Sequence, residues 1–259
     1  MIENFEFNYE YSGCKFCYSK TKRIGEREIH DYLELLYYID GGATLKTETF
    51  NQKLKENSLI LIPKGKFHSV ALENPNNFTR LKISFDQTEL LKDIDPKVLD
   101  EVSIISNLSP SVISLLDKTC ACLENQTCTN NNNLFIYGAF LVALSEFSSN
   151  VNVENGQKNL SLIVKETIRY VEENISEDLS IESISANLNF SESTLSHSFK
   201  KEMGVSIHKY VVQKRLIYAK ELLCGGKLPT EIYCLCGYTN YSSFYKAYVK
   251  TWGTNPKQN

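Results

Sequence analysis

One motif occurs twice near the end of this 259-residue chain, and it constrains the fold more than any other feature. From Ile184 the sequence reads "ISANLNFSESTLSHSFKKEMG", and from Ile232 it reads "IYCLCGYTNYSSFYKAYVKTWG". Ile184 aligns with Ile232, Ala186 with Cys234, Leu188 with Cys236, and Asn189-Phe190-Ser191 with Gly237-Tyr238-Thr239. After one inserted residue, Leu195, Phe199, Met203 and Gly204 align with Phe244, Tyr248, Trp252 and Gly253. A repeat of this kind is one supersecondary unit used twice. Each copy reads as a short helix, a tight turn and a second amphipathic helix.

The turn residues fit that reading. A sharp corner between helices calls for positive φ, which Gly237 adopts freely and Asn189 better than most other residues. Ser191 then stands at an N-cap, as does Thr239 or Asn240 in the second copy. Apolar residues four apart (Leu195 and Phe199, Phe244 and Tyr248) point each second helix inward. Between them Ser193, Ser196 and His197, then Ser242, Ser243, Tyr245 and Lys246, point outward. Small donors and acceptors at a helix start, with lysines further along, suit a helix entering a DNA major groove. A solvated helical hairpin would explain one copy equally well; it explains two copies in a basic region poorly. From Ser191 onward the chain carries 10 Lys and Arg against 4 Asp and Glu, whereas residues 1 to 156 carry 15 against 21. Only the last part has the charge of a polyanion-binding surface.

The remainder divides at a polar, aperiodic stretch between Ser148 and Lys158. The spacing predicts a first domain over residues 1–150, a linker over 151–158 and an all-helical domain over 159–259. Strands are expected at "FEFNYEY", "YLELLYYI", "ATLKTETF", "SLILI", "FHSV" and "FTRLKISF", closely spaced as in a barrel or sandwich. Helical spacing follows in "TELLKDI", "SVISLLDKTCACLE" and "LFIYGAFLVALSEF", the last with Leu134, Tyr137, Leu141, Leu144 and Ala143 or Phe147 on a broad apolar face that packs on its own domain or seats a partner copy. Beyond the linker, helices are expected at Leu160 to Asn174, Ile181 to Leu188, Glu192 to Met203, Ile207 to Cys224, Glu231 to Cys236 and Ser242 to Trp252. A 42% hydrophobic and 23% charged composition excludes a disordered or membrane-embedded chain. With no basic-then-apolar start and no span-length apolar run, a cytoplasmic protein with reduced thiols is expected.

From Leu179 to Pro256, "LSIESISANLNFSESTLSHSFKKEMGVSIHKYVVQKRLIYAKELL" and "EIYCLCGYTNYSSFYKAYVKTWGTNP" resemble the tandem helix-turn-helix domain of AraC/XylS-type transcription regulators. The resemblance implies double-stranded promoter DNA as partner, read by both second helices in successive major-groove segments. Carried over by position, the first helix presents Ser193, Thr194, Ser196 and His197, with Lys200 and Lys201 towards its end. The second presents Ser242, Ser243, Tyr245 and Lys246, with Lys250 towards its end. His197 and Lys246 stand where the family usually has Arg, so bidentate guanine reading by Arg is not available here. "EIHDYLELLYYIDGG" and "SLILIPKGKFHSV" resemble the cupin-like ligand-binding domain many such regulators carry. The resulting fold class is α+β, a cupin-like β-barrel with helices followed by an all-α double helix-turn-helix. The implied function is a regulator, an activator by expectation, that answers to a small-molecule effector, contacts RNA polymerase, forms a homodimer and uses no membrane.

His30, Glu34 and His68 fall where cupin enzymes place metal ligands and are the candidate ligand-binding residues. Glu28 stands where the metal-binding pattern usually has a further His, so the expectation is a pocket with neither metal nor cofactor. The aromatic residues Phe7, Tyr9, Tyr11, Phe16 and Tyr18 either line that pocket or fill the barrel, with core packing the safer assignment. Cys14 and Cys17 form a CxxC whose thiols would face opposite ways in a strand. Cys234, on the repeat position of Ala186, is expected to be a small core residue. Two other functions compete: a metal- or thiol-responsive regulator using cysteines, and a metal-dependent cupin enzyme.

Overall fold

The computed structural model describes residues 5–21, 29–73, 78–86, 88–92, 94, 96–127, 130–149 and 160–258. Glu28 and the expected linker at 151–158 lie outside these residues. The chain divides into two compact units, Met1–Lys158 and Asn159–Asn259.

Among its described residues the first unit has nine strands in two antiparallel sheets: β1 (Phe5–Tyr11), β2 (Cys14–Thr21), β3 (Leu33–Asp40), β4 (Ala43–Thr47), β5 (Asn51–Lys53), β6 (Ser58–Ile62), β7 (His68–Leu72), β8 (Phe78–Phe85) and β9 (Ser103–Ile105). The larger sheet runs β1-β2-β8-β3-β6-β9 and the smaller β5-β4-β7. The helices are α1 (Pro96–Asp100), α2 (Pro110–Glu124) and α3 (Asn130–Ser149). The larger sheet is covered on both faces, which is why β3 and β6 read as continuous apolar runs. Leu35, Tyr37, Leu59, Leu61, Leu81 and Ile83 pack towards α2 and α3. Leu36, Tyr38, Ile60 and Ile62 meet Ala43, Leu45 and Val70 of the smaller sheet.

Three details of this unit differ from the sequence expectation. β5 and β9 are three residues each, too short for alternation to reveal them in the sequence. Among its described residues "TELLKDI" forms a 3-10 turn at Thr88–Leu91 in place of the expected α-helix. On α3 the buried residues are Ile136, Ala139, Phe140, Ala143, Leu144 and Phe147, at clean helical spacing. Leu134 and Leu141 lie on the opposite side with Val142, so the expected single apolar face is in fact two.

The second unit is helical: α4 (Leu162–Glu173), α5 (Ile181–Leu188), α6 (Glu192–Met203), α7 (Ile207–Cys224), α8 (Pro229–Leu235) and α9 (Tyr241–Trp252). Ser180, Ser191, Ser206 and Asn240 each accept a backbone N–H at the starts of α5, α6, α7 and α9. α8 starts two residues before the expected Glu231, at Pro229, since proline suits a first helical position whose N–H would have no partner. Asn189 (φ 57°) and Gly237 (φ 70°) hold the left-handed conformation at the two corners.

Candidate nucleic-acid interface and effector groove

On α6, Leu195, Phe199 and Met203 are fully buried, and Phe199 packs edge-on against Tyr210 of α7 at 5.3 Å. On α9, Phe244 and Tyr248 are fully buried in a cluster with Leu216, Ala219, Leu223, Ile232 and Cys236. The residues between these anchors are turned out. Ser193, Thr194, Ser196, His197, Lys200 and Lys201 are exposed on α6, as are Ser242, Ser243, Lys246 and Lys250 on α9, while Tyr245 is half-buried. Thr194 has a second engagement: its hydroxyl lies 2.7 Å from the capping Ser191 Oγ. Lys200 and Lys201 close α6 and Lys250 closes α9, favourable places for a cation opposite the helix dipole.

Arg215, in the middle of α7, carries no mark in the sequence pattern. Its Nε donates to the Ile175 carbonyl at 3.0 Å and its guanidinium also donates to the Glu177 carbonyl at 2.5 Å. The same guanidinium lies 5.9 Å from the centre of the Tyr238 ring. One side chain thus joins the loop before the first helix-turn-helix to the turn of the second. Periodicity gives no signal for such a residue.

In the first unit, β1 and β2 extend the larger sheet past the residues that pack on the smaller one. The inner face there is a polar groove of about 610 Å³ lined by Glu6, Asn8, Lys15, Cys17, Arg80 and Lys82, with Tyr32 and Ser84 at its side. Its size is that of a small-molecule site. Phe7, Tyr9, Tyr11, Phe16 and Tyr18 belong to the opposite face and pack in the core against α2 and α3, with Tyr11 on Tyr137 and Phe16 on Phe140. They fill the core and do not line the groove.

His30, Glu34 and His68 are brought together at the groove's inner end, all three buried. The His30 ring stacks on the groove residue Tyr32, with centres 4.0 Å apart, and makes an edge contact with His68 at 5.0 Å. Lys82 reaches within 3.9 Å of the Glu34 carboxylate. Burial alone would raise the Glu34 carboxyl, but His30, His68 and Lys82 hold it well below the ordinary carboxylate range.

Two family profiles match the chain in tandem: an AraC-like ligand binding domain over residues 17–134 and a helix-turn-helix domain over residues 184–258. The chain belongs to the AraC family of transcription regulators. The Msm operon regulatory protein of Streptococcus mutans is 24% identical over 99% of this chain and 93% of its own length. An HTH-type transcriptional regulator of Escherichia coli, YdiP, is 23% identical over 88% of this chain and 78% of its own. Among solved structures, ToxT from Vibrio cholerae is 13% identical, covering 99% of this chain and 95% of that one, with a TM-score of 0.42. As a member of this family the regulator binds DNA through its helix-turn-helix units and carries an N-terminal ligand-binding domain. No helix among its described residues is long and apolar enough to cross a membrane.

The regulator's cysteines divide by burial. Cys14 faces the core and Cys17 the groove, as opposite faces of β2 require. Burial pushes the Cys14 thiol up to about 11 and the Cys236 thiol up to about 12, and raises Cys120 further still. The core residue of the second repeat is Cys236, while Cys234 is exposed, contrary to expectation. Counting from buried Ile232, position 236 returns to the inward side after one turn and position 234 does not. At neutral pH a thiol reagent should therefore modify Cys224 and Cys234 rapidly in the native regulator. Cys14, Cys120 and Cys236 should react only after denaturation. Peptide mapping after timed labelling checks this, and rapid native labelling of Cys14 or Cys120 would contradict it.

Proposed function

We propose that residues 1–150 sense a small-molecule effector and dimerise, that 151–158 connect, and that 159–259 read promoter DNA with Ser193, Ser196, His197, Ser242, Ser243, Tyr245 and Lys246. Lys200, Lys201 and Lys250 hold phosphate, and Thr194 divides its hydroxyl between the cap and the DNA. The regulator works in the cytoplasm as an activator in contact with RNA polymerase and catalyses no reaction itself. The observation that carries this reading is the division of α6 and α9 into a fully buried apolar side and an exposed side of small polar and basic residues. The effector enters the groove, where Lys15, Arg80 and Lys82 suit a polar molecule bearing an acidic group. A regulator sensing through its cysteines is disfavoured by the raised thiols of Cys14, Cys120 and Cys236.

Fluorescence anisotropy with DNA from the regulator's own upstream region tests the assignment of roles. Replacing Lys200, Lys201 or Lys250 by Ala should weaken binding to all sequences alike and reduce the salt slope by about 0.9 for each phosphate no longer neutralised. Replacing His197 or Lys246 by Ala should cost roughly 1–3 kcal/mol on the operator and relax discrimination at a few base pairs only. Unchanged affinity and base preference in His197→Ala would remove that residue from the interface.

Dimerisation is assigned to the outward stripe of α3, where Leu134 is 71% exposed, Val142 43% and Leu141 37%. A carboxylate placed in that stripe would be desolvated in a dimer and solvated in a monomer. Leu141→Asp should therefore convert a dimer to a monomer in sedimentation at micromolar concentration without loss of folding. A parent chain that is monomeric at that concentration rules the assignment out.

A further inference from the structure

We propose that the N-terminal unit binds one divalent first-row transition-metal ion on His30, Glu34 and His68, against the metal-free pocket expected from the sequence. The three side chains come from three places: the loop before β3, β3 of the larger sheet, and the first residue of β7 in the smaller sheet. The Gly65 N–H donates to the His30 carbonyl at 2.8 Å, which fixes the turn leading to His68 against the His30 backbone. One ligand atom from each residue lies within 4.8 Å of the others, and all three residues are more than nine-tenths buried.

The hydrogen bonding prepares both imidazoles in the same way. His30 Nδ1 lies 2.8 Å from the Tyr32 carbonyl and His68 Nδ1 lies 3.2 Å from the Lys66 carbonyl. A carbonyl only accepts, so each Nδ1 carries the hydrogen, and a neutral ring then has its lone pair on Nε2. This is the orienting arrangement found around metal-binding histidines. His30 Nε2 and Glu34 Oε2 face each other at 3.4 Å, both buried and placed to share a proton or a metal ion. A buried imidazole and carboxylate this close are costly unless a positive charge lies between or beside them. A shared proton would join one imidazole to the carboxylate; a metal ion takes all three donors at once.

The spacing fits an ion after small adjustment. Bonds of about 2.0–2.2 Å place neighbouring donors roughly 3.0–3.4 Å apart. His30 and Glu34 already stand at that separation, and His68 closes by a shift on the order of 1 Å. Two imidazoles and one carboxylate form the facial donor set that suits Fe(II) and its neighbours and leaves coordination positions for water or an exogenous ligand. Lys82, which supplies positive charge to Glu34, also lines the groove and has room there when a cation arrives.

The metal site is independent of the DNA-binding assignment and is tested on the untagged full chain, stripped with chelator and titrated with Co²⁺. The expected result is one Co²⁺ per chain, with ligand-field absorption and no thiolate-to-cobalt charge-transfer band. Paramagnetically shifted N–H protons from two imidazoles should appear in the proton NMR spectrum. His197 and His208, the other two of the four histidines, are exposed and would contribute none. His68→Ala and Glu34→Gln, with parental circular dichroism, should each lose about 100-fold or more in Co²⁺ affinity. No stoichiometric uptake, a thiolate band, fewer than two shifted imidazole protons, or a folded variant binding as tightly as the parent would overturn it. Should neither variant fold, the parent's stoichiometry and imidazole signals decide the matter alone.

Discussion

Phe244→Ala should destabilise the DNA-binding unit by about 3–5 kcal/mol, while Ser242→Ala and Ser243→Ala should leave stability within about 0.5 kcal/mol of the parent. The three residues are consecutive on one turn of α9, so helix propensity and distance from the helix start cannot account for the difference. Orientation does. The Phe244 side chain is fully buried, with the rings of Tyr238, Tyr241 and Tyr248 between 5.5 and 6.0 Å away. Truncating it removes the central ring of that set and leaves a cavity that the surrounding helical segments cannot close. Ser242 and Ser243 are exposed, and the cap at the start of α9 comes from Asn240, whose Oδ1 accepts the Ser243 N–H at 2.9 Å. The two serine hydroxyls are left to act on DNA. Urea denaturation beside operator binding should thus show a crossed pattern, with stability lost in one variant and affinity in the other two. Equal destabilisation by all three would refute the assignment of faces on α9.

Gly237→Ala should be far more harmful than Gly253→Ala, though the two glycines have nearly the same backbone, with φ of 70° and 69°. The left-handed conformation alone costs a non-glycine residue about 1–2 kcal/mol at either position. At Gly253 nothing lies within 4 Å of an added Cβ, so the cost ends there. At Gly237 the added carbon would fall 2.5 Å from the Arg215 Cζ, inside any permissible contact. Arginine side chains usually swing aside, but this one is tied to two backbone carbonyls. Its displacement forfeits charge-assisted hydrogen bonds of about 1.5–3 kcal/mol each. In an Arg215→Ala background the two glycine substitutions should therefore converge to the same cost, a coupling that a double-mutant cycle measures directly. If the gap between them persists without Arg215, the close approach is not its cause.

The second unit is legible in the sequence almost to the residue because its determinants are local. Caps at Ser191 and Asn240, left-handed corners at Asn189 and Gly237, and apolar pairs four apart each act within one or two turns. The expected bounds of α5, α6 and α7 coincide with those observed. The first unit is legible as strands, but its groove is not. That surface exists only because β2 lies beside β8, setting Cys17 against Lys82 and Lys15 against Ser84 across more than sixty residues of sequence. Alternation separates Glu6 and Asn8 from Phe7 and Tyr9 without saying which side is covered by helices. The triad can be named from sequence only by resemblance; that its two imidazoles and one carboxylate converge depends on the two sheets meeting. The exchange of roles between Cys234 and Cys236 has a readable signal. Alignment to the first repeat passes a role to Cys234 by residue size, where counting from Ile232 chooses Cys236.

Arg215 reaches the first repeat through carbonyl oxygens rather than side chains, and this has an evolutionary consequence. The receiving positions, Ile175 and Glu177, present the same acceptors whatever residues occupy them. That loop can drift in sequence, provided its backbone path is kept, without loosening the connection between the repeats. The other two parties have no such latitude, because position 215 must supply a forked cation and position 237 must have no side chain. Substitution should therefore be tolerated at one end of the connection and purged at the other. The two repeats can diverge in what they read on DNA while the arginine–glycine pair between them stays fixed.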